Sequence, residues 1–89
     1  MRIALADDEV LLLEGLSRLL TEAGLEVVAT AGDPQELLRR VRLTRPDVVV
    51  VDIKMPPTHT DEGLQAARTI RTELPEIGVL VLSQYVEEG

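Results

Sequence analysis

Short apolar runs alternate with segments of helical periodicity along the whole chain. The apolar runs predict strands over residues 2–6, 27–30, 47–52 and 79–82. Apolar residues spaced three and four apart predict three intervening helices: one spanning Leu12 to Ala23, one from Pro34 to Arg45, and one from about Glu62 to Leu74. Right-handed crossovers convert this alternation into an α/β fold with an open, doubly wound parallel sheet.

Local signals define the ends of these elements. Gly24 is expected to stop the first helix because glycine adopts the left-handed conformation without a Cβ clash. Asp33 is the predicted N-cap of the second helix, Pro34 its first residue, and Glu36 the partner in a capping box. One mostly apolar face is predicted for the third helix, formed by Leu64, Ala67, Ile70, Arg71 and Leu74.

The third strand is expected to lie at the centre of the sheet. It contains four consecutive valines, Val48 to Val51. A strand without polar alternation is typical of a parallel sheet with helices covering both faces. The ligand site of such a fold lies outside the carboxyl ends of its strands.

Composition narrows the class of protein. With 89 residues and 45% hydrophobic content, the chain is predicted to form one domain. It has no cysteine, which excludes disulfides and thiolate metal sites and fits a reducing, cytoplasmic location. The N-terminal segment reaches Asp7 too early for a signal peptide, and no apolar stretch is long enough to span a membrane.

Charge argues against nucleic-acid binding by this chain. The formal net charge is −7, which repels a polyanion unless basic residues cluster. One such cluster exists on the predicted second helix, and a solvated helix face explains it better than a nucleic-acid contact does. Its members are Arg39, Arg40, Arg42 and Arg45.

Candidate chemistry falls at the carboxyl edge of the predicted sheet. Asp7 and Asp8 follow the first strand, Asp52 ends the third, and Ser83 follows the fourth. Taken singly, Asp8 or Glu9 could cap the first helix, Asp52 could cap a turn and Ser83 could be a loop residue. Three converging carboxylates repel one another unless one is protonated or a hard cation binds, and Mg²⁺ is the natural candidate.

Three segments resemble the receiver domain of bacterial two-component response regulators, in matching order and spacing. They are Leu5-Ala6-Asp7-Asp8-Glu9, Val-Val-Val-Val-Asp52-Ile-Lys-Met55-Pro56 and Val-Leu-Val-Leu-Ser83. The stretch from Met55 to Gly63 further resembles receivers of NarL/LuxR-type transcription factors. The resemblance implies a flavodoxin-like fold with strand order 2-1-3-4.

The resemblance also implies a phosphorylation switch. Asp52 would accept a phosphoryl group from a histidine kinase or from acetyl phosphate, and the domain would catalyse only its own phosphorylation and dephosphorylation. Asp8 would ligate Mg²⁺ directly, Asp7 through a water, Asp52 through a carboxylate oxygen and Lys54 through its backbone carbonyl. Ser83 would hydrogen-bond the phosphoryl group and shift a two-state equilibrium.

A complete receiver of this family continues with a fourth helix, a fifth strand carrying a phosphoryl-binding lysine, and a fifth helix. Residues 1–89 are therefore expected to form a receiver domain truncated after strand four, separated from a helix-turn-helix output domain. The exposed edge of strand four predicts a homo-oligomer formed by edge pairing or exchange of elements, or else a fragment.

Two other functions remain open at this point. A Mg²⁺-dependent phosphatase of the haloacid-dehalogenase type also has an aspartate nucleophile after a strand, but it needs a second acid where this chain has Lys54. A passive interaction module would retain the acids as caps and surface charge. His59, the single histidine, and Tyr85 are assigned no role.

Overall fold

The structure, a computed structural model, describes residues 1–58 and 60–82. Strands and helices alternate along the chain, as the apolar pattern predicts. Within the described residues, none of the helices combines the length and the apolar character needed to cross a bilayer. The elements are β1 (Arg2–Ala6), α1 (Val10–Glu22), β2 (Glu26–Ala31), α2 (Pro34–Thr44), β3 (Val48–Asp52), α3 (Glu62–Glu73) and β4 (Gly78–Leu82).

The four strands form one parallel sheet in the order β2-β1-β3-β4, which confirms the predicted α/β topology. β1 is interior, with Leu5 beside Thr30 of β2 and beside Val50 of β3. β3 is also interior, because Val50 pairs with Leu80 of β4 on its other side. The interior position predicted for the valine strand is therefore confirmed.

The two faces of the sheet are covered unequally. α2 and α3 pack on one face, where Val49 and Val51 are completely buried. Among the described residues, the helix that packs on the other face is α1. Its Leu13 forms a buried cluster there with Ile3 and Leu5. Val48 and Val50 point to this second face and are only partly buried. The unbroken valine run predicts that both faces of β3 are fully covered. This prediction is wrong for the face that carries Val48 and Val50.

The predicted signals at the helix ends are mostly confirmed. Asp33 caps α2 by accepting a hydrogen bond from the backbone N–H of Glu36 at 2.9 Å. The Glu36 carboxylate returns to the N–H of Gly32 at 3.3 Å, one residue before the N-cap that a standard capping box would use. Gly24 follows α1 with φ +92°, the left-handed conformation that favours glycine there.

The predicted buried face of α3 needs correction. Ala67, Ile70 and Leu74 are buried as expected, whereas Arg71 is exposed and Leu64 only half-buried. The face toward the sheet instead includes two small residues that the apolar spacing does not single out, Gly63 and Ala66. Small residues there allow the helix axis to lie close to the sheet.

The arginine cluster of α2 is occupied by carboxylates of its own chain. Arg42 makes a bidentate ion pair with Glu73 at 2.9 and 3.0 Å, and Arg45 lies 3.5 Å from Glu76. Arg39 and Arg40 both face the carboxylate of Glu36, at 3.9 and 3.2 Å. These pairs agree with the interpretation of the cluster as a solvated helix face.

Candidate metal centre

The sheet topology brings two acid-bearing chain segments side by side. Asp7 directly follows β1, and Asp52 is the last residue of the adjacent β3, where Ala6 pairs with Val51. One carboxylate oxygen from each of Asp7, Asp8 and Asp52 lies within 4.8 Å of the other two. The predicted convergence of these three acids is therefore present.

The three carboxylates occupy different environments. Asp7 and Asp52 are 5% and 4% exposed, whereas Asp8 faces solvent. An Asp7 carboxylate oxygen accepts the backbone N–H of Glu9 at 2.9 Å, and Oδ1 of Asp52 accepts the N–H of Lys54 at 3.2 Å. Each buried acid is thus oriented by the turn that follows it, and Asp8 leaves the group open on one side.

Burial and mutual repulsion act together on Asp7. Burial raises the pKa of the Asp7 carboxyl, and the neighbouring carboxylates of Asp52 and Asp8 raise it further. The hydrogen bond from the N–H of Glu9 acts in the opposite direction without cancelling the increase in pKa. An elevated carboxyl pKa within an acidic group is the electrostatic condition that a bound cation relieves.

The donor set fits a hard divalent cation. It consists of oxygen atoms from three carboxylates, with an open side at the exposed Asp8. Mg²⁺ binds through one or two carboxylates together with waters and substrate oxygens, so a complete protein cage is not required. The ammonium group of Lys54 has no lone pair to offer a cation, so the backbone carbonyl is the group of this residue that could contribute.

The loop after β3 is held at several points. Met55 is fully buried. The hydroxyl of Thr58 donates to the Glu62 carboxylate, which also accepts the N–H groups of Thr58 at 2.8 Å and Thr60 at 3.1 Å. These hydrogen bonds, that of the Thr58 hydroxyl first, lower the pKa of Glu62 to about 2. The apolar pattern does not predict this role of Glu62, although an acid at the first residue of a helix is the available signal.

Three residues that carry, or could have carried, a predicted role lie outside the described residues. They are Ser83, the predicted phosphoryl partner, together with His59 and Tyr85. The described part of the site therefore comprises the three aspartates and the turn through Lys54.

A parallel sheet in the order 2-1-3-4, with three carboxylates at the carboxyl ends of its central strands, defines the class of flavodoxin-like receiver domains. Comparison with known families agrees. The family model described as the response regulator receiver domain matches residues 3–89, and this chain belongs to that family.

Similar proteins specify the kind of response regulator. The oxygen regulatory protein NreC of Staphylococcus haemolyticus is 38% identical over 89 residues, covering 99% of this chain and 40% of its own length. A LuxR-family response regulator from Aurantimonas sp. SI85-9A1 is 36% identical with a TM-score of 0.84, and the match covers 96% of this chain and 59% of that one.

The signal receiver domain of a NarL response regulator from Mycobacterium tuberculosis is 32% identical with a TM-score of 0.84. That match covers 97% of this chain and 68% of the other. The resemblance to NarL/LuxR-type receivers is therefore confirmed, and the chain spans 40% of the length of the curated NreC relatives.

Proposed function

We propose that this chain is a phosphorylation-dependent signalling switch that accepts a phosphoryl group on Asp52 from a histidine kinase. Mg²⁺ would be held by Asp8, by Asp7 through a water, by the Asp52 carboxylate and by the backbone carbonyl of Lys54. The observation that carries the proposal is the convergence of the three aspartate carboxylates within 4.8 Å at the ends of β1 and β3.

The proposed reaction is a direct phosphoryl transfer. An Asp52 carboxylate oxygen forms a bond to phosphorus while the bond from phosphorus to the donor breaks. The donor is a kinase histidine, whose ring nitrogen keeps the electron pair, or acetyl phosphate, which releases acetate. The product is an acyl phosphate on Asp52, and Mg²⁺ would supply neutralisation of charge on the transferring oxygens.

Each described residue of the site has a task suited to its environment. The N–H of Lys54 holds Oδ1 of Asp52 at 3.2 Å, which restricts the rotation of the nucleophile and leaves its other oxygen for attack. Burial of Asp52 at 4% exposure limits competing water. Ser83 is proposed to hydrogen-bond the phosphoryl group once it has been transferred.

The relatives suggest what the switch controls. NreC is named as a regulatory protein, and this chain covers 40% of it. We therefore propose that the receiver acts in the cytoplasm on an attached helix-turn-helix output domain, regulating transcription. It would turn over only its own acyl phosphate, since Lys54 occupies the position where a haloacid-dehalogenase-type phosphatase has its second acid.

The direct test is intact-mass measurement after incubation with acetyl phosphate and Mg²⁺. The parent chain is expected to gain one phosphoryl group, and hydroxylamine should remove it because acyl phosphates are labile to this nucleophile. Asp52→Asn is expected to show no gain because the amide cannot supply the attacking oxygen.

A matched acid at the opposite end of the same strand provides the control. Asp47 precedes β3 and accepts the N–H of Arg2 at 2.8 Å, away from the acidic group. Asp47→Asn should therefore be phosphorylated like the parent. Absence of the phosphoryl gain on the parent would contradict the proposal and favour a passive interaction module. Persistence of the gain in Asp52→Asn would contradict it by showing that another residue is the acceptor.

Self-association through β4 is proposed as a second property of this chain. β4 lies at one edge of the sheet, with Leu80 54% and Leu82 41% exposed. An apolar edge strand offers unpaired backbone groups and a hydrophobic surface to a second copy. The parent is expected to sediment as an oligomer at high concentration, and Leu80→Lys as a monomer because a lysine on an edge strand disfavours pairing with a second copy.

Leu43 supplies the control for that experiment. It is 75% exposed on α2, away from β4, so Leu43→Lys adds the same charge to a different surface. This variant should sediment like the parent. A monomeric parent at every concentration would rule out association through the β4 edge.

A further inference from the structure

Gly63 lies so close to the end of β3 that no side chain fits there. A Cβ built on it would be 1.7 Å from the carbonyl oxygen of Asp52, 2.7 Å from its carbonyl carbon and 2.9 Å from the Cα of Ile53. All three atoms belong to the backbone, so they cannot swing aside as a flexible side chain would. A residue larger than glycine must move either the start of α3 or the Asp52–Ile53 peptide.

Gly63 differs from the other glycines in the described part of the chain because it has no room for a Cβ. A Cβ at Gly15 or Gly24 would meet nothing within 4 Å, and at Gly32 or Gly78 its nearest contacts would be 3.9 and 3.5 Å. The close approach at Gly63 is therefore specific to the place where α3 meets the phosphoacceptor strand.

Hydrogen bonds fix the same backbone from both sides. The N–H of Gly63 donates to the carbonyl of Ile53 at 2.8 Å, and the N–H of Ile53 donates to the carbonyl of Leu82 at 3.0 Å. The N–H of Lys54 donates to the Asp52 carboxylate at 3.2 Å. The short segment from Asp52 to Lys54 is thus held between β4 and the first turn of α3.

The next turn of α3 maintains this approach. Ala66 and Ala67 are 3% and 2% exposed and lie in the main hydrophobic core with Val49 and Val51. Because these side chains are small, the helix stays near the sheet beyond Gly63 as well. The close contact at Gly63 is therefore supported by the packing of the helix behind it.

We infer that Gly63 is a positioning residue for the proposed metal and phosphoacceptor site. Its missing side chain allows α3 to hold the Asp52–Lys54 backbone, so that the Asp52 carboxylate lies against Asp7 and Asp8. This inference rests on the proposed function. Mg²⁺ requires near-ideal octahedral geometry, so a displaced carboxylate or Lys54 carbonyl is lost as a ligand.

The test compares Gly63→Ala with Gly15→Ala, the same substitution in α1. A Cβ at Gly15 would meet nothing within 4 Å, so Gly15→Ala should leave the affinity for Mg²⁺ unchanged. Gly63→Ala is expected to lower the affinity for Mg²⁺ by about tenfold or more, the effect typical of lost outer support of a metal ligand. The affinity is measured by calorimetric titration with MgCl₂ on samples shown by far-UV circular dichroism to be folded.

A measurement on the parent chain decides the matter even if Gly63→Ala fails to fold. Mg²⁺ is expected to slow hydrogen exchange of the Gly63 amide by a larger factor than that of the Leu74 amide, which donates to Ile70 at 2.7 Å at the other end of α3. Equal factors for the two amides, or a folded Gly63→Ala with the parent affinity for Mg²⁺, would overturn the inference. A parent that binds no Mg²⁺ would overturn the proposed function and this inference with it.

Discussion

Asp7→Asn is expected to stabilise the metal-free chain at neutral pH. Asp7 is 5% exposed and lies within 4.8 Å of two other carboxylates, so its ionised form is unfavourable in the folded state. Asparagine keeps an oxygen for the N–H of Glu9 and removes the charge. Relief of repulsion over this distance should increase the free energy of unfolding by about 1 kcal/mol or more, a rise in thermal midpoint of roughly 4–8 °C for a chain of this size.

The pH dependence of stability tests whether the Asp7 charge causes this gain. Because folding raises the pKa of Asp7, the folded state binds more protons than the unfolded state between the two pKa values. The stability contributed by this group is therefore largest at low pH and falls as the pH rises through the elevated pKa. Asp7→Asn lacks this decline, so its advantage over the parent should disappear in acid and reach its full size at neutral pH.

Mg²⁺ should reverse the order of stability, so that the parent becomes more stable than Asp7→Asn. The parent gains stability when the cation binds the folded state, by about 2.7 kcal/mol at a hundredfold excess over the dissociation constant. Asp7→Asn loses part of that gain.

Glu14→Gln, at an exposed position of α1, is the control and should follow the parent throughout. Thermal unfolding from pH 3 to 8, with and without Mg²⁺, tests all three expectations, and an Asp7→Asn protein less stable than the metal-free parent at pH 7 would refute the first.

Leu37→Ala is expected to remove a large part of the free energy of unfolding, so that the chain is only marginally folded. Leu37 is completely buried on α2, in the cluster that includes Val41 and Val49. Truncating a fully buried leucine costs about 2–5 kcal/mol through lost transfer free energy and the cavity left behind. Small domains have total stabilities near the lower end of about 5–15 kcal/mol, so a large part of the stability would be lost.

Leu43→Ala is the matched control, because Leu43 belongs to the same helix and is 75% exposed. Its substitution should change the free energy of unfolding by less than about 0.5 kcal/mol. Since the chain has no tryptophan, urea unfolding is followed by far-UV circular dichroism. Equal losses at the two positions would show that the core does not lie where the structure places it.

The architecture could be predicted because each element carries its own signals. Asp33 and Pro34 define the start of α2, Gly24 ends α1, and the valine run of β3 requires an interior strand. The convergence of Asp7 and Asp52 follows from topology, since parallel strands present their carboxyl ends at one edge. Sequence therefore located the acidic group as well as the fold.

Other features depend on distances that no linear pattern contains. Periodicity placed Arg71 on the inner face of α3 and missed Gly63, because the close approach of α3 to β3 selects for size as well as hydrophobicity. Unequal coverage of Val49 and Val50 depends on which helices lie on each face, and their identical side chains give no indication of it. The hydrogen bonds from Thr58 and Thr60 to the Glu62 carboxylate likewise depend on the path of the loop.

The strand order has a consequence for biosynthesis. β1 is synthesised before the other three strands of this sheet, yet it lies between β2 and β3, and its pairing with β3 needs residues 48–51. A nascent chain that ends before those residues cannot satisfy the second hydrogen-bonding edge of β1. Because pairing over such sequence separations is slow to form, β1 remains incompletely paired until residues 48–51 have emerged from the ribosome.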